Sequence, residues 1–153
     1  MVYVNDHKRH NPSVSVVIPT YKRAETLPYL ISALKRQTYR NFNVVVVIKP
    51  SDDGTEALLD QASAVLKIEI VEQRIGHIVD AYFLGVKHTT GNIIALLDDD
   101  AIPADDWLEQ TVKIFQTQQV AGVTGDSYPV LLNNDGMKIL QENEMASILS
   151  PYE

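Results

Sequence analysis

The strongest chemical signal in the chain is a run of three carboxylates, Asp98-Asp99-Asp100. Six of the twenty acidic residues fall between Asp98 and Glu109. Adjacent carboxylates repel one another unless a cation sits among them. Oxygen donors of this kind suit hard divalent ions, Mn2+ or Mg2+, which keep waters and take phosphate oxygens as further ligands. On an extended segment residues i and i+2 point to one side, so Asp98 and Asp100 can share an ion. The competing reading is a solvated turn, with Asp105 and Asp106 favouring the N-terminus of a following helix. The position of the trio just after a buried strand favours the ligand.

Three other segments follow apolar runs in the same way: Pro19-Thr20-Tyr21-Lys22-Arg23, Lys49-Pro50-Ser51-Asp52-Asp53-Gly54 and Gln73-Arg74. Thr20, Tyr21 and Arg23 offer a hydroxyl, a ring and a cation, although a polar loop with Tyr21 covering the sheet end is the plainer account. Arg74 could pair with a base or a phosphate, or be an ordinary surface arginine. His77 and Asp80 stand i, i+3 on a helix, but a lone histidine is more often a satisfied surface residue than a ligand. His7 and His88 carry no functional reading. There is no Walker loop, no Gly-x-Gly-x-x-Gly and no Gly-x-Ser-x-Gly elbow.

The elements that position these residues can be read from periodicity. Residues 14–18, 44–48 and 93–97 are apolar runs that read as buried strands, and Pro19 and Pro50 stop the first two. Residues 67–72 alternate, as a strand nearer the sheet edge would. Helical spacing covers 25–37, 55–66, 78–88 and 105–116, with Pro28 acceptable only in a first turn. Asp53 is expected to cap the second helix, with Glu56 completing a capping box. A strand over 120–124 and a last helix over 137–149 are weaker expectations. Strands alternating with helices need parallel strands joined by crossovers. The expected fold is therefore α/β, a mainly parallel sheet with helices on both faces. Open sheets of this kind bind ligands beyond the carboxyl ends of their strands. All four polar segments would open on that rim.

Length and composition narrow the function. At 153 residues the chain reads as one domain, 13–153, behind a polar tail, 1–12. Hydrophobic residues at 45% and charged residues at 22% are ordinary globular values. Cysteine is absent, which removes disulfides, thiolate nucleophiles and cysteine zinc sites. A net charge of −7 argues against a nucleic-acid partner and against unaided docking on anionic lipid. No apolar run approaches the ~20 residues a membrane span needs, and the N-terminus lacks the pattern of a signal peptide. A cytoplasmic location is expected, and peripheral attachment to a membrane is compatible with it.

Taken together, the motifs resemble inverting glycosyltransferases of family 2, with the GT-A, Rossmann-like fold. Val14-Ser-Val-Val-Ile-Pro-Thr-Tyr-Lys-Arg23 is similar to the family's opening strand followed by Pro-Thr-Tyr-Asn-Arg. Leu30 to Gln37, then Thr38-Tyr39 and Asn41-Phe42, is similar to its Leu-x-Ser-Leu-x-x-Gln-Thr-Tyr-x-Asn-Phe stretch. Asp53-Gly54-Thr55 resembles the end of its Asp-Asp-Gly-Ser-Thr-Asp-Gly-Thr loop. Asp98-Asp-Asp-Ala-Ile-Pro-Ala-Asp-Asp-Trp-Leu108 resembles its Asp-x-Asp segment and the Pro-x-x-Trp-Leu after it. The likeness covers about residues 13 to 126, and the shared order of the motifs makes it specific.

The resemblance implies binding of a nucleotide-sugar donor with Mn2+ or Mg2+ and transfer of the sugar to a sugar or lipid acceptor hydroxyl. It implies that Pro19, Thr20, Tyr21, Arg23, Lys49, Asp53, Arg74, Asp98 and Asp99 hold the nucleotide-sugar, and that Asp98 and Asp100 hold the metal. The chain departs from the pattern in three places. Ile48 stands where the family has an aspartate that contacts uracil, with Lys49 next. Ala81-Tyr82-Phe83 replaces Ala-Arg-Asn. The acceptor part and general base of the family have no matching motif, and none of Asp126, Asp135, Glu142 or Glu144 is assigned as the base. A non-catalytic nucleotide-binding or interaction module is the alternative. A receiver-like domain would want an acidic pair after the first strand, where Pro19-Thr20-Tyr21 stands. A magnesium phosphatase would want threonine at Ile102.

Overall fold

The computed structural model describes residues 11–133 and 136–139. The elements run β1 (Val14–Thr20), α1 (Leu27–Arg36), β2 (Phe42–Ile48), α2 (Thr55–Ser63), β3 (Ile68–Glu72), α3 (Ile78–Lys87), β4 (Ile93–Leu96), α4 (Trp107–Thr117), β5 (Val130–Asn133) and β6 (Gly136–Ile139). The chain divides into two compact units, Met1–Val123 and Thr124–Glu153.

The first unit is built on a sheet of order β3-β2-β1-β4, parallel throughout. Its central strands are rich in β-branched residues, as strands covered on both faces are. All seven residues of β1 are buried, as are the last five of β2. Alternate side chains feed two cores. Val16, Ile18, Val44 and Val46 pack with Leu30 and Leu34 of α1, Leu59 of α2 and Leu108 and Phe115 of α4. Val17, Val45, Val47 and Val71 pack with Ala81 of α3 on the opposite face. Helices thus cover both faces, as the pattern implied. Gly85 lets α3 lie close to the sheet: a Cβ there would stand 2.4 Å from Val17 Cγ1 and 3.0 Å from Val47 Cγ2.

A buried amide fixes the loop after the three aspartates. Gln37 is fully buried at the end of α1. Its Nε2 donates to Ala104 O at 2.6 Å and to Ala33 O at 3.3 Å, and its Oε1 accepts from Leu108 N at 3.1 Å. Thr38 N donates to Asp105 O at 2.7 Å, and Arg36 pairs with Asp105 at 2.9 Å. The C-terminus of α1 therefore clamps the segment that carries the acidic residues to α4.

The structure corrects three sequence expectations. Residues 120–124 form no strand, because Gly122 interrupts a short run and Val120 and Val123 are satisfied by packing on the larger core. Residues 136–139 form β6, antiparallel to β5, with Asn133 opposite Gly136. A helix over 137–149 is therefore excluded at its start, and residues 140–149 lie outside the described ones. Asp53 is not the N-cap of α2. Gly54 takes that place at φ +93°, and Asp53 reaches the helix from one residue earlier, accepting Thr55 N–H at 3.2 Å.

Candidate functional site

The carboxyl ends of the strands set out the polar residues in sheet order. Gln73 follows β3, Lys49 follows β2, Thr20 and Tyr21 end β1, and the aspartates follow β4. A cleft of about 340 Å³ opens there, with Pro19, Thr20, Tyr21, Arg23, Lys49 and Asp99 in its wall. The structure thus brings six of the expected residues together.

At one end of the cleft, Arg23 Nε lies 3.3 Å from Asp99 Oδ1, and its Nη2 lies 3.8 Å from Asp100 Oδ2. The Asp99 side chain is 12% exposed and that of Asp100 62%, so Asp99 belongs to the wall and Asp100 to the rim. Arg23 is held from behind by its own N–H, which donates to Thr55 Oγ1 at 3.2 Å. Lys22, just before it, has φ +55°, a left-handed conformation that few non-glycine residues adopt. That turn leaves two ammonium groups near the Tyr21 ring, Lys22 Nζ at 5.4 Å and Lys49 Nζ at 5.6 Å from its centre. Thr20 Oγ1 is buried without a hydrogen-bond partner among the described residues.

The first aspartate of the trio, Asp98, is held by a tyrosine. Tyr82 Oη donates to Asp98 Oδ1 at 2.6 Å. Burial, and then the carboxylate beside it, push the Tyr82 phenol well above its ordinary range. The described residues contain no cluster of three His, Cys, Asp or Glu side chains disposed to hold a metal. Asp98 and Asp100 offer two exposed carboxylates instead.

Two expected residues stand apart. Arg74 pairs with Glu72 at 2.6 Å, and its side chain is 82% exposed. Asp53 faces a neighbouring hollow with Lys22 and Arg23. Its oxygens accept from Ser51 Oγ at 2.8 Å, Ala24 N at 3.1 Å, and Thr55 Oγ1 and N at 2.9 and 3.2 Å. Those bonds, that from Ser51 foremost, hold its carboxyl well below the usual range. Asp53 fastens the β1–α1 loop to the start of α2.

Sequence reasoning gave no site role to Gln73, Gly76 or His77, which also line the cleft. Strand parity carries the missing signal. Val71 faces the core, so Gln73 shares its side and Glu72 and Arg74 share the other. Gln73 is 9% exposed and its Nε2 donates to His77 O at 3.4 Å. Gly76 has φ +120°, and a Cβ there would stand 2.6 Å from Gln73 Nε2, so only glycine keeps that amide in place.

Residues 15–150 match the model of the family described as "Glycosyl transferase family 2". Glycosyltransferase AglE of Haloferax volcanii is 35% identical over 126 residues, spanning 77% of this chain and 41% of that protein. A mannosyltransferase from Pyrobaculum calidifontis, solved in complex with GDP-Man and Mn2+, superimposes with a TM-score of 0.63 at 30% identity. That match spans 72% of this chain and 34% of the other. TarS 1-349 of S. aureus, solved with UDP-GlcNAc, gives a TM-score of 0.67 at 21% identity over 76% of this chain and 37% of its own, a likeness of fold. The chain spans less than half the length of each of these proteins.

Proposed function

Because the chain belongs to glycosyl transferase family 2, we propose that its cleft holds a nucleoside diphosphate sugar for transfer of the sugar to an acceptor hydroxyl. The observation that carries this reading is the wall itself: a buried, unpartnered Thr20 hydroxyl stands in the same cleft as Arg23 and Asp99. An unsatisfied buried hydroxyl costs about 1–3 kcal/mol, and a bound nucleoside would satisfy it. Pro19, Thr20, Tyr21 and Lys49 border the nucleoside, and Asp98 and Asp99 face ribose and sugar. Asp53 supports the loop that carries Arg23, and Arg74 lies at the outer margin.

The donor set fits a hard divalent cation, Mn2+ or Mg2+. Two carboxylates are enough, since such an ion completes its shell with water and phosphate oxygens. Asp98 and Asp100 would hold it. When bound, it would offset the charge that develops on the departing nucleoside diphosphate. Arg23 then exchanges its carboxylate partners for phosphate oxygens, which it can grip with two N–H groups. Transfer also needs a base for the acceptor's proton, and no residue is assigned to that role. The acceptor is a sugar or a lipid hydroxyl.

Calorimetry of the chain against a panel of nucleoside diphosphate sugars, with and without Mn2+, tests the reading. Cation-dependent binding is expected, and Asp100→Ala should weaken it by about 1.5–3 kcal/mol. Equal affinities of the two proteins in Mn2+ would remove the metal role, and an absence of binding throughout would remove the function.

A further inference from the structure

We propose that the base of the donor is guanine and that Lys49 reads its O6 and N7 edge. The inference rests on the donor-site reading above. Sheet order gives the cleft a direction. Asp99 and Arg23 form the charged end beyond β4 and β1, where a diphosphate and its cation belong. Lys49 lies beyond β2 and Gln73 beyond β3. Neighbouring strands stand about 4.8 Å apart, so the ends of β4 and β3 are about 14 Å apart. A nucleoside diphosphate anchored at the aspartates must therefore lay its base over Lys49 and Gln73.

The polar groups at that end are mostly donors. Lys49 is exposed and makes no ion pair among the described residues. Three of the carboxylates around it are already engaged: Asp53 by Ser51, Ala24 and Thr55, Glu72 by Arg74, and Asp80 by the His77 N–H at 2.9 Å. An ammonium can only donate. Of adenine and guanine, only guanine sets two acceptors, O6 and N7, side by side, and lysine is one of their commonest partners. Adenine sets an amino donor beside N7. Uracil sets an imide N–H between its carbonyls, and that N–H would face the ammonium. The Gln73 amide donates through Nε2 to His77 O, which leaves Oε1 as the acceptor that the N1–H and amino group of guanine require.

The test is calorimetric titration of GDP, UDP, CDP and ADP in Mn2+, on the chain and on Lys49→Met. GDP should bind at least about tenfold more tightly than the other three. Lys49→Met should erase that preference by weakening GDP more than the other three. Another nucleotide binding as tightly as GDP would overturn the proposal, as would a preference that survives in the variant. An equal weakening of all four by Lys49→Met would also overturn it, because it would place the ammonium on the phosphates. Binding of all four without preference defeats the base assignment alone, whereas no binding of any defeats the donor site with it. The ranking by the unaltered chain decides the matter even if the variant is unstable.

Discussion

Tyr82 Oη and Asp98 Oδ1 are joined by a 2.6 Å hydrogen bond from α3 to the end of β4. A tyrosine can orient a carboxylate without neutralising it. Asp98 is therefore oriented from α3, while Asp99 pairs with Arg23.

Removing that bond should be felt in ligand binding before it is felt in the fold. Tyr82→Phe is expected to weaken Mn2+-dependent nucleotide binding by roughly three- to tenfold, less than a fully buried charged hydrogen bond would cost. Calorimetry of the variant measures this. Unchanged affinity would show that Asp98 needs no holding. Because the folded pKa of Tyr82 is raised, its contribution is present below the ordinary tyrosine range and lost as pH climbs above it. The wild-type melting temperature should therefore fall more steeply than that of the phenylalanine variant in strong alkali.

At the acid end the sign is reversed. The folded pKa of Asp53 is lowered, so its contribution is present above the ordinary carboxylate range and lost as pH falls from that range down through the lowered folded value. Asp53→Asn should lower the melting temperature at pH 7 and flatten its acid dependence below about pH 4. Parallel acid limbs in the two proteins would mean that the four bonds to Asp53 carry no linkage.

Gln37→Ala should destabilise the first unit by about 1–3 kcal/mol, since Leu108 N–H and Ala104 O lose their buried partner. Denaturant melts measure the loss. The Asp98–Asp100 segment should loosen with it, which faster amide hydrogen exchange over residues 98–108 would reveal. A variant as stable as wild type would show that water replaces the amide.

The residues explain why some of this was legible in advance. Val14 to Ile18 and Val44 to Ile48 are apolar but for Ser15, and a doubly covered strand uses such a run. The proline after the first run and the aspartates after β4 then fall on the ligand rim by topology. Gln73 was harder to see, because the charge of Arg74 drew attention to the wrong side of an alternating strand. The Tyr82–Asp98 bond spans sixteen positions and needs α3 docked before it exists. Met137 to Ile139 consists of good helix formers, and their strand comes from pairing with Val130 to Leu132, which no local propensity reports.

The order β3-β2-β1-β4 also bears on the chain as it leaves the ribosome. Partners in β1 and β2 are 28 positions apart, Val14 with Phe42, whereas β1 and β4 pair across 79, Val14 with Ile93. A growing chain can therefore zip β1, β2 and β3 together while the other edge of β1 stays bare, because contacts distant in sequence form late. The side of the cleft that carries Thr20 and Lys49 is translated and paired before the acidic side has been synthesised. During that interval the unpaired edge of β1 is an exposed row of backbone donors and acceptors, open to pairing with another chain.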